Sequence, residues 1–291
     1  MKTSQFIKEY YIEKSLSGLR ESTISGYLSS INQYILPTFG DIELEDITVM
    51  DIEKWLSTIY KKGAAHKAYK TLRQIIRKAI DYDMYSGKDP TTKHIRVPKA
   101  KRKEPDILSG QQVSTLINGF KDHYLEPIVI CAVTLGLRRG EAFGLQWEDI
   151  DMNNGAVHIS RSYQIIHGTI YVYPPKTYKS NRICYLPKFA LKRIRQIGRE
   201  KTGRLSIESS PDVMVKDYKE HCTKKNLPYV SFTNLRHTWA TIALESGADI
   251  STIANMLGHT DISVAYKHYI KPSQNTYKKT QDAWENAVLN K

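Results

Sequence analysis

Apolar residues recur every three or four positions along most of the chain, which is the periodicity of amphipathic helices. Near the amino terminus this pattern predicts four helices, over residues 4–16, 22–35, 48–62 and 64–82. Gly40 and Gly63 fall in two of the breaks, and serine or threonine is available as N-cap. Residues 1–96 are therefore predicted to form an all-helical domain.

The pattern becomes mixed from Ile107 onward. Helical spacing predicts helices over residues 108–120, 125–145, 212–226, 234–247 and 249–258. Residues 156–187 instead alternate like two or three short antiparallel strands, with glycine and proline at the turns. The predicted fold class is mainly α, in two domains: the all-helical one, and a mainly helical one over residues 107–291 with a small antiparallel β-sheet.

Positive charge is concentrated in one block of the chain. The net charge is +13, and residues 54–103 alone hold 15 basic and 3 acidic side chains. A local excess of this size is typical of proteins that bind a polyanion, and nucleic acid is the first candidate. In the fourth predicted helix, basic residues are spaced to follow phosphates along a groove. They are Lys67, Lys70, Arg73 and Arg77.

The segment between the two predicted domains, residues 97–106, has the sequence VPKAKRKEPD. Its prolines favour an extended chain and its charges keep it solvated, so it is predicted to be an inter-domain linker. A basic linker lying along double-stranded DNA would let the two domains bind opposite sides of the DNA. The linker residues expected to contact DNA are Lys99, Lys101, Arg102 and Lys103.

Composition argues against several other classes of protein. Cys131, Cys184 and Cys222 lie far apart and form no C-x-x-C pair, so neither a zinc site nor a disulfide framework is predicted. No apolar stretch approaches the ~18 residues of a membrane span, and the amino terminus lacks the apolar core of a signal peptide. We expect a cytoplasmic protein with no metal, no cofactor and no membrane contact.

Four short stretches stand out as candidate chemistry. They are TLGLRRGEAFGLQWEDID at 134–151, YPPKTYKSNR at 173–182, TNLRHTWAT at 233–241 and LGHTDISVAYKHY at 257–269. Each is weak alone: an Arg followed by Glu three residues later is usually a surface ion pair worth a few tenths of a kcal/mol. Taken together and in order, they resemble the tyrosine site-specific recombinases, the phage integrase family, of the phage or conjugative-transposon integrase type.

The resemblance covers essentially the whole chain, with residues 1–96 similar to the core-binding, SAM-like domain and residues 107–291 similar to the catalytic domain. It implies a site-specific DNA recombinase that cleaves and rejoins strands through a 3′-phosphotyrosine intermediate to integrate or excise a mobile element. It also implies a homo-tetramer on DNA, docked through the tail after the nucleophile, and possible accessory DNA-bending or directionality factors.

The resemblance assigns a role to each motif residue. Tyr269, ten residues after His259, matches the nucleophile, whereas Tyr266 is only seven along and is interpreted as packing. The remaining matches are Arg138 and Arg236 on the phosphate, Lys176 as proton donor to the leaving 5′ oxygen, His259 on the phosphate or the phenol, and Glu141 as the group that orients Arg138.

These residue types suit the chemistry. A phenol with a pKa near 10 is both an acceptable attacker and a good leaving group, so it can hold the phosphate and later release it. Planar guanidinium groups stabilise the negative charge that builds up on the non-bridging oxygens. A positioned lysine supplies the proton that the 5′ oxygen needs. Such a site requires no metal ion.

One position departs from the family pattern. The family commonly has histidine three residues before the second arginine, where this chain has Thr233. A threonine can donate a hydrogen bond to phosphate but cannot act as an acid or base near neutral pH. Two alternatives stay open: a type IB topoisomerase-like DNA-relaxing enzyme, which uses the same phosphotyrosine chemistry, and a degenerate DNA-binding relative, which Thr233 alone supports.

Overall fold

The computed structural model describes residues 1–91, 95–98, 104–174, 180–198, 201–205 and 210–258, and the single positions 261, 263, 281, 284, 285 and 288. The chain divides into two compact units, Met1–Lys103 and Glu104–Lys291. Each unit has its own hydrophobic core and consists mainly of helices. The predicted fold class, mainly α in two domains, is confirmed.

The first unit contains the four predicted helices. Its segments are α1 Thr3–Phe6 with the π-helical continuation Ile7–Ser15, α2 Glu21–Ser30 with the π-helical continuation Ile31–Ile35, α3 Leu36–Phe39, the 3₁₀ turn Leu44–Asp46, α4 Val49–Thr58 and α5 Lys62–Asp81. The π-helical turns of the first two helices have no counterpart in the sequence-based prediction.

Local sequence explains how α4 and α5 form. Thr48 caps α4: its hydroxyl accepts from the Asp51 N–H (3.2 Å), and the Asp51 carboxylate accepts from the Thr48 N–H (3.0 Å). α5 buries its apolar stripe, including Leu72, Ile75 and Ile76, in the core of the first unit. The opposite face of α5 is left for its basic residues.

The second unit combines helices with short strands. Its elements are α6 Gly110–Gly119, α7 Glu126–Leu135, α8 Arg139–Gly144, the 3₁₀ turn Trp147–Asp149, β1 Ala156–Ile159, β2 Ser162–Ile166, β3 Thr169–Tyr173, β4 Arg182–Tyr185, α9 Lys188–Ile197, α10 Pro211–Lys224, α11 Phe232–Glu245 and α12 Ile250–Leu257.

The strands differ from the predicted single sheet. Among the described residues they form two separate antiparallel ladders, β1 with β4 and β2 with β3. Val157 pairs with Cys184 in the first ladder, and Tyr163 pairs with Val172 in the second. Alternation along the chain marks each strand but does not specify its partner, because β1 and β4 pair across the whole β2–β3 hairpin.

α7 is the central helix of the second unit, and all ten of its residues are buried. α11 packs against α7. A smaller apolar cluster made by Ala240, Ile253, Ala254 and Leu257 fixes α12 against α11. These contacts bring the carboxyl ends of α7 and α12 to the same part of the unit. Among the described residues, no helix is long and apolar enough to cross a membrane.

Candidate active site

The GLRRGE motif lies at a sharp break between two helices. Gly136 ends α7 in the left-handed conformation, with φ of 61°, which a glycine adopts at little cost. Arg138 is then extended as the N-cap of α8, and its backbone N–H donates to Glu141 Oε2 at 2.9 Å. The prediction of one helix over residues 125–145 is therefore wrong, because Gly136 interrupts it.

The break directs the Arg138 side chain toward the end of α12. Its Nη1 donates to Glu141 Oε1 at 2.7 Å, and its Nη2 donates to the carbonyl oxygen of Gly258 at 3.0 Å. The Arg138 side chain remains 40% exposed, whereas that of Glu141 is only 7% exposed. Arg138 is thus anchored on one side and open to an incoming group on the other.

Arg236 reaches the same place from α11 and is buried. Its Nη1 donates to the carbonyl oxygen of Gly136 at 2.9 Å, and its Nη2 donates to that of Leu257 at 2.8 Å. Arg138 and Arg236 therefore bind two consecutive carbonyl groups, those of Gly258 and Leu257. The structure brings together the two arginines that the sequence places almost one hundred residues apart.

A third arginine, Arg182, joins this cluster, and the sequence-based reasoning missed it. Arg182 begins β4, and its Nη2 donates to Glu141 Oε2 at 2.9 Å. Its Nε donates to the carbonyl oxygen of Met256 at 2.6 Å. The signal was present in the alternation of β4: residues two apart share a face, and Cys184 is buried in the core.

The cluster is positively charged overall, since three guanidinium groups surround one carboxylate. Burial disfavours the charged form of Glu141, but the hydrogen bond and charge of Arg182, together with those of Arg138, hold the pKa of this carboxyl below its usual value. Glu141 therefore stays ionised and neutralises only part of the cluster. The remaining charge favours an anion such as a phosphodiester.

Thr233 lies in the first turn of α11, exposed and one helical turn before Arg236. Residues three apart share a helix face, so Thr233 stands on the same side of α11 as this arginine. Three other predicted site residues, Lys176, His259 and Tyr269, lie outside the described residues. The last continuous described segment ends at Gly258, the residue before His259.

The basic face predicted for α5 is present. Lys67, Lys70 and Arg77 are exposed, and Arg73 is half-buried. Arg77 makes one long ion pair with Asp89, at 3.7 Å, between partly exposed side chains, so it is weakly held. The linker residues predicted to contact DNA, Lys99, Lys101, Arg102 and Lys103, lie outside the described residues.

Comparison with protein families identifies the class of protein. The sequence profile described as "Phage integrase family" matches residues 107–276, and that described as "Phage integrase, N-terminal SAM-like domain" matches residues 3–60. The chain belongs to the phage integrase family. It is a tyrosine recombinase of the integrase type, an enzyme that breaks and rejoins DNA strands, as the resemblance of its motifs predicts.

Individual relatives agree with this assignment. The chain is 28% identical to tyrosine recombinase XerD of Staphylococcus saprophyticus, over 92% of this chain and 93% of the relative. Its fold matches the integrase of the transposon Tn1549 in complex with transposon right-end DNA, with a TM-score of 0.83, 15% identity and coverage of 98% of this chain and 99% of the other. It also matches a lambda integrase tetramer bound to a Holliday junction, with a TM-score of 0.68, 18% identity and coverage of 94% and 80%.

Proposed function

We propose that this recombinase integrates or excises a mobile element by cleaving each strand through a 3′-phosphotyrosine at Tyr269. The observation that carries the proposal is the meeting of Arg138 and Arg236 on the consecutive carbonyl groups of Gly258 and Leu257. This arrangement concentrates two guanidinium groups at Leu257 and Gly258, the residues that precede His259 in the chain. A phosphodiester bound there would lie next to the motif that carries the nucleophile.

The roles of the residues follow from the charge that develops during the reaction. Attack by the Tyr269 phenol places extra negative charge on the non-bridging oxygens, which Arg138 and Arg236 stabilise. Lys176 gives a proton to the departing 5′ oxygen, and His259 binds the phosphate or helps deprotonate the phenol. Glu141 holds Arg138 in place through two hydrogen bonds, at 2.7 and 2.9 Å.

The test is incubation of the wild-type protein with nicked suicide duplexes that carry candidate recombination sites. A covalent protein–DNA complex that depends on Tyr269 would support the proposal. Relaxation of supercoiled plasmid of any sequence, without recombination, would instead indicate topoisomerase activity. DNA binding without a covalent complex would indicate a degenerate relative.

The α5 surface offers a test of DNA binding in the first unit. Changing the exposed Lys67, Lys70 and Arg77 together to glutamate should weaken binding and flatten its salt dependence. Because the log–log slope is about −0.9 per neutralised phosphate, we expect a change of about 2 to 3 units in the slope. Binding measured between 50 and 200 mM salt checks this.

The matched control for α5 reverses three exposed lysines elsewhere in the same unit, Lys8, Lys14 and Lys54. This control changes the net charge equally but leaves the α5 surface intact. If both triple variants gave the same slope, α5 would have no special role in the interface.

Thr233 gives a second test, because it stands where the family commonly has histidine. We propose that its hydroxyl donates a hydrogen bond to a phosphate oxygen and carries no proton in the reaction. Thr233→Val should then slow covalent-complex formation on the order of tenfold through the unpaired contact, while Thr233→His should be tolerated. An inert wild type rescued by Thr233→His would mark a degenerate recombinase, and a fully active Thr233→Val would remove the residue from the site.

We also propose that the protein acts as a homo-tetramer on DNA, with the tail 276–291 docked on a neighbouring protomer. The tetrameric lambda integrase bound to a Holliday junction supports this proposal by its similar fold. Trp284 and Val288 are exposed large apolar residues in that tail. Accessory DNA-bending or directionality factors are part of the same proposal.

A further inference from the structure

Arg182 makes more contacts inside the site than its position in a short strand would suggest. Besides its bonds to Glu141 Oε2 and Met256, its Nη1 donates to Glu141 Oε1 and to the carbonyl oxygen of Ser180, both at 3.3 Å. The side chain is only 7% exposed. All three nitrogen atoms of its guanidinium group donate to acceptors among the described residues, which indicates that Arg182 is built into the site rather than open to an incoming phosphate.

Each of the three arginines in the cluster binds a different carbonyl group at the end of α12. Arg182 binds the carbonyl group of Met256, Arg236 binds that of Leu257 and Arg138 binds that of Gly258. The last carbonyl groups of a helix have no partner within the helix and carry the negative end of its dipole. Three cations on three successive carbonyl groups therefore hold the α12 end firmly.

Arg182 and Arg138 also share one carboxylate. Glu141 Oε1 accepts hydrogen bonds from the Nη1 atoms of both arginines. Glu141 Oε2 accepts from the Arg138 backbone N–H and from the Arg182 Nη2. Removing Arg182 would leave Glu141 buried beside one cation instead of two, and would leave the Met256 carbonyl group with the weak thiol donor of Cys184, at 3.6 Å, among the described donors. Both groups that anchor Arg138, Glu141 and the α12 end, would then be loosened together.

We propose that Arg182 is a positioning residue of the recombinase site, which binds Glu141 and the end of α12 into one unit and thereby fixes the Arg138 guanidinium. This role rests on the proposed function, because it matters only if Arg138 stabilises the phosphate. In this role Arg182 acts through Arg138 rather than by contact with the phosphate.

The test compares DNA binding with cleavage of a nicked suicide duplex under single-turnover conditions. For Arg182→Met we expect the cleavage rate constant to fall about 10²-fold, the order expected when a catalytic group is displaced by about 1 Å. The dissociation constant for the duplex should change less than about threefold, because the charge lost is buried and contacts no phosphate. Arg182→Lys should recover part of the rate, since it restores the charge but not the planar fork.

The matched control is Arg193→Met. Arg193 also pairs with a buried carboxylate of the same unit, Glu126, but makes none of the contacts at α12. The control should lose thermal stability to a similar degree and keep the wild-type cleavage rate. Equal loss of rate in both variants would reduce Arg182 to a stability role and overturn the proposal.

Two further measurements separate positioning from general damage. Glu141→Gln combined with Arg182→Met should cost little more than the worse single change, because the two residues act as one unit. Loss of Arg182 removes the hydrogen bond and the charge that most lower the pKa of Glu141, so the pH profile of cleavage by Arg182→Met should shift toward higher pH relative to wild type. In this variant Arg138 is the remaining cation that lowers the pKa of Glu141, and the Cys184 thiol lies near the carboxylate.

The outcomes are distinguishable. An inert wild type means that the proposed function fails, and the role of Arg182 fails with it. An active wild type with an equally active Arg182→Met overturns the positioning role alone. If Arg182→Met does not fold, Arg182→Lys decides between the two outcomes. Cleavage at the wild-type rate by Arg182→Lys would overturn the positioning role, because the planar fork would not be needed. A loss of at least about tenfold with normal DNA binding would support the positioning role.

Discussion

Tyr269→Phe is expected to abolish the covalent protein–DNA complex while DNA affinity stays within about twofold of wild type. The substitution removes only the hydroxyl that attacks phosphorus, and no other phenol stands at the correct spacing from His259. The measurement is denaturing gel electrophoresis of suicide-substrate reactions, with binding determined in parallel.

Tyr266→Phe is the matched control, because it removes the same hydroxyl three residues earlier in the chain. This variant should form the complex at close to the wild-type rate. A complex that persists in Tyr269→Phe and disappears in Tyr266→Phe would move the nucleophile to Tyr266 and refute the spacing argument.

Arg236→Lys should reduce the cleavage rate constant by about 10²- to 10³-fold, the loss typical of removing one donor that stabilises a transition state. Lysine keeps the charge but cannot donate to the Gly136 and Leu257 carbonyl groups and to a phosphate oxygen together, because it lacks the planar fork. Single-turnover cleavage at saturating protein measures the effect without interference from binding.

The control for Arg236→Lys is Arg161→Lys. Arg161 donates to the buried carboxylate of Asp149 at 2.6 Å and makes none of the described contacts with α12. If the two variants slowed cleavage equally, the loss at Arg236 would reflect general weakening of the unit, and its assignment to the phosphate would be wrong.

Much of the fold and part of the site could be predicted from the sequence. The period of the apolar residues predicts the helices of the first unit, because their apolar stripes are local features that one helix displays by itself. The motif around Arg138 and Glu141 is equally local, and the ion pair that its spacing indicates is present. Arg236 was assigned by resemblance, and its burial beside Arg138 is a result of the structure.

The features that escaped prediction depend on residues far apart in the chain. Arg182 contacts Glu141 and Met256, which are 41 and 74 positions away, so nothing in its own neighbourhood indicates these partners. The pairing of β1 with β4 has the same origin. The break at Gly136 is different: glycine within a helical pattern is ambiguous, and here the tertiary contacts of Arg138 and Arg236 favour the turn.

The arginine cluster is anchored mainly by peptide carbonyl groups, and this affects which substitutions it tolerates. Exchanging the side chain of Met256 or Leu257 leaves the carbonyl acceptors in place. The vulnerable positions are the two glycines that shape the backbone, Gly136 with φ of 61° and Gly258 with φ of 66°. A β-carbon at Gly136 would lie 2.8 Å from the Leu257 side chain. Genetic screens for loss of recombination should therefore recover changes at these glycines more readily than at Met256, which binds Arg182 through its carbonyl group alone.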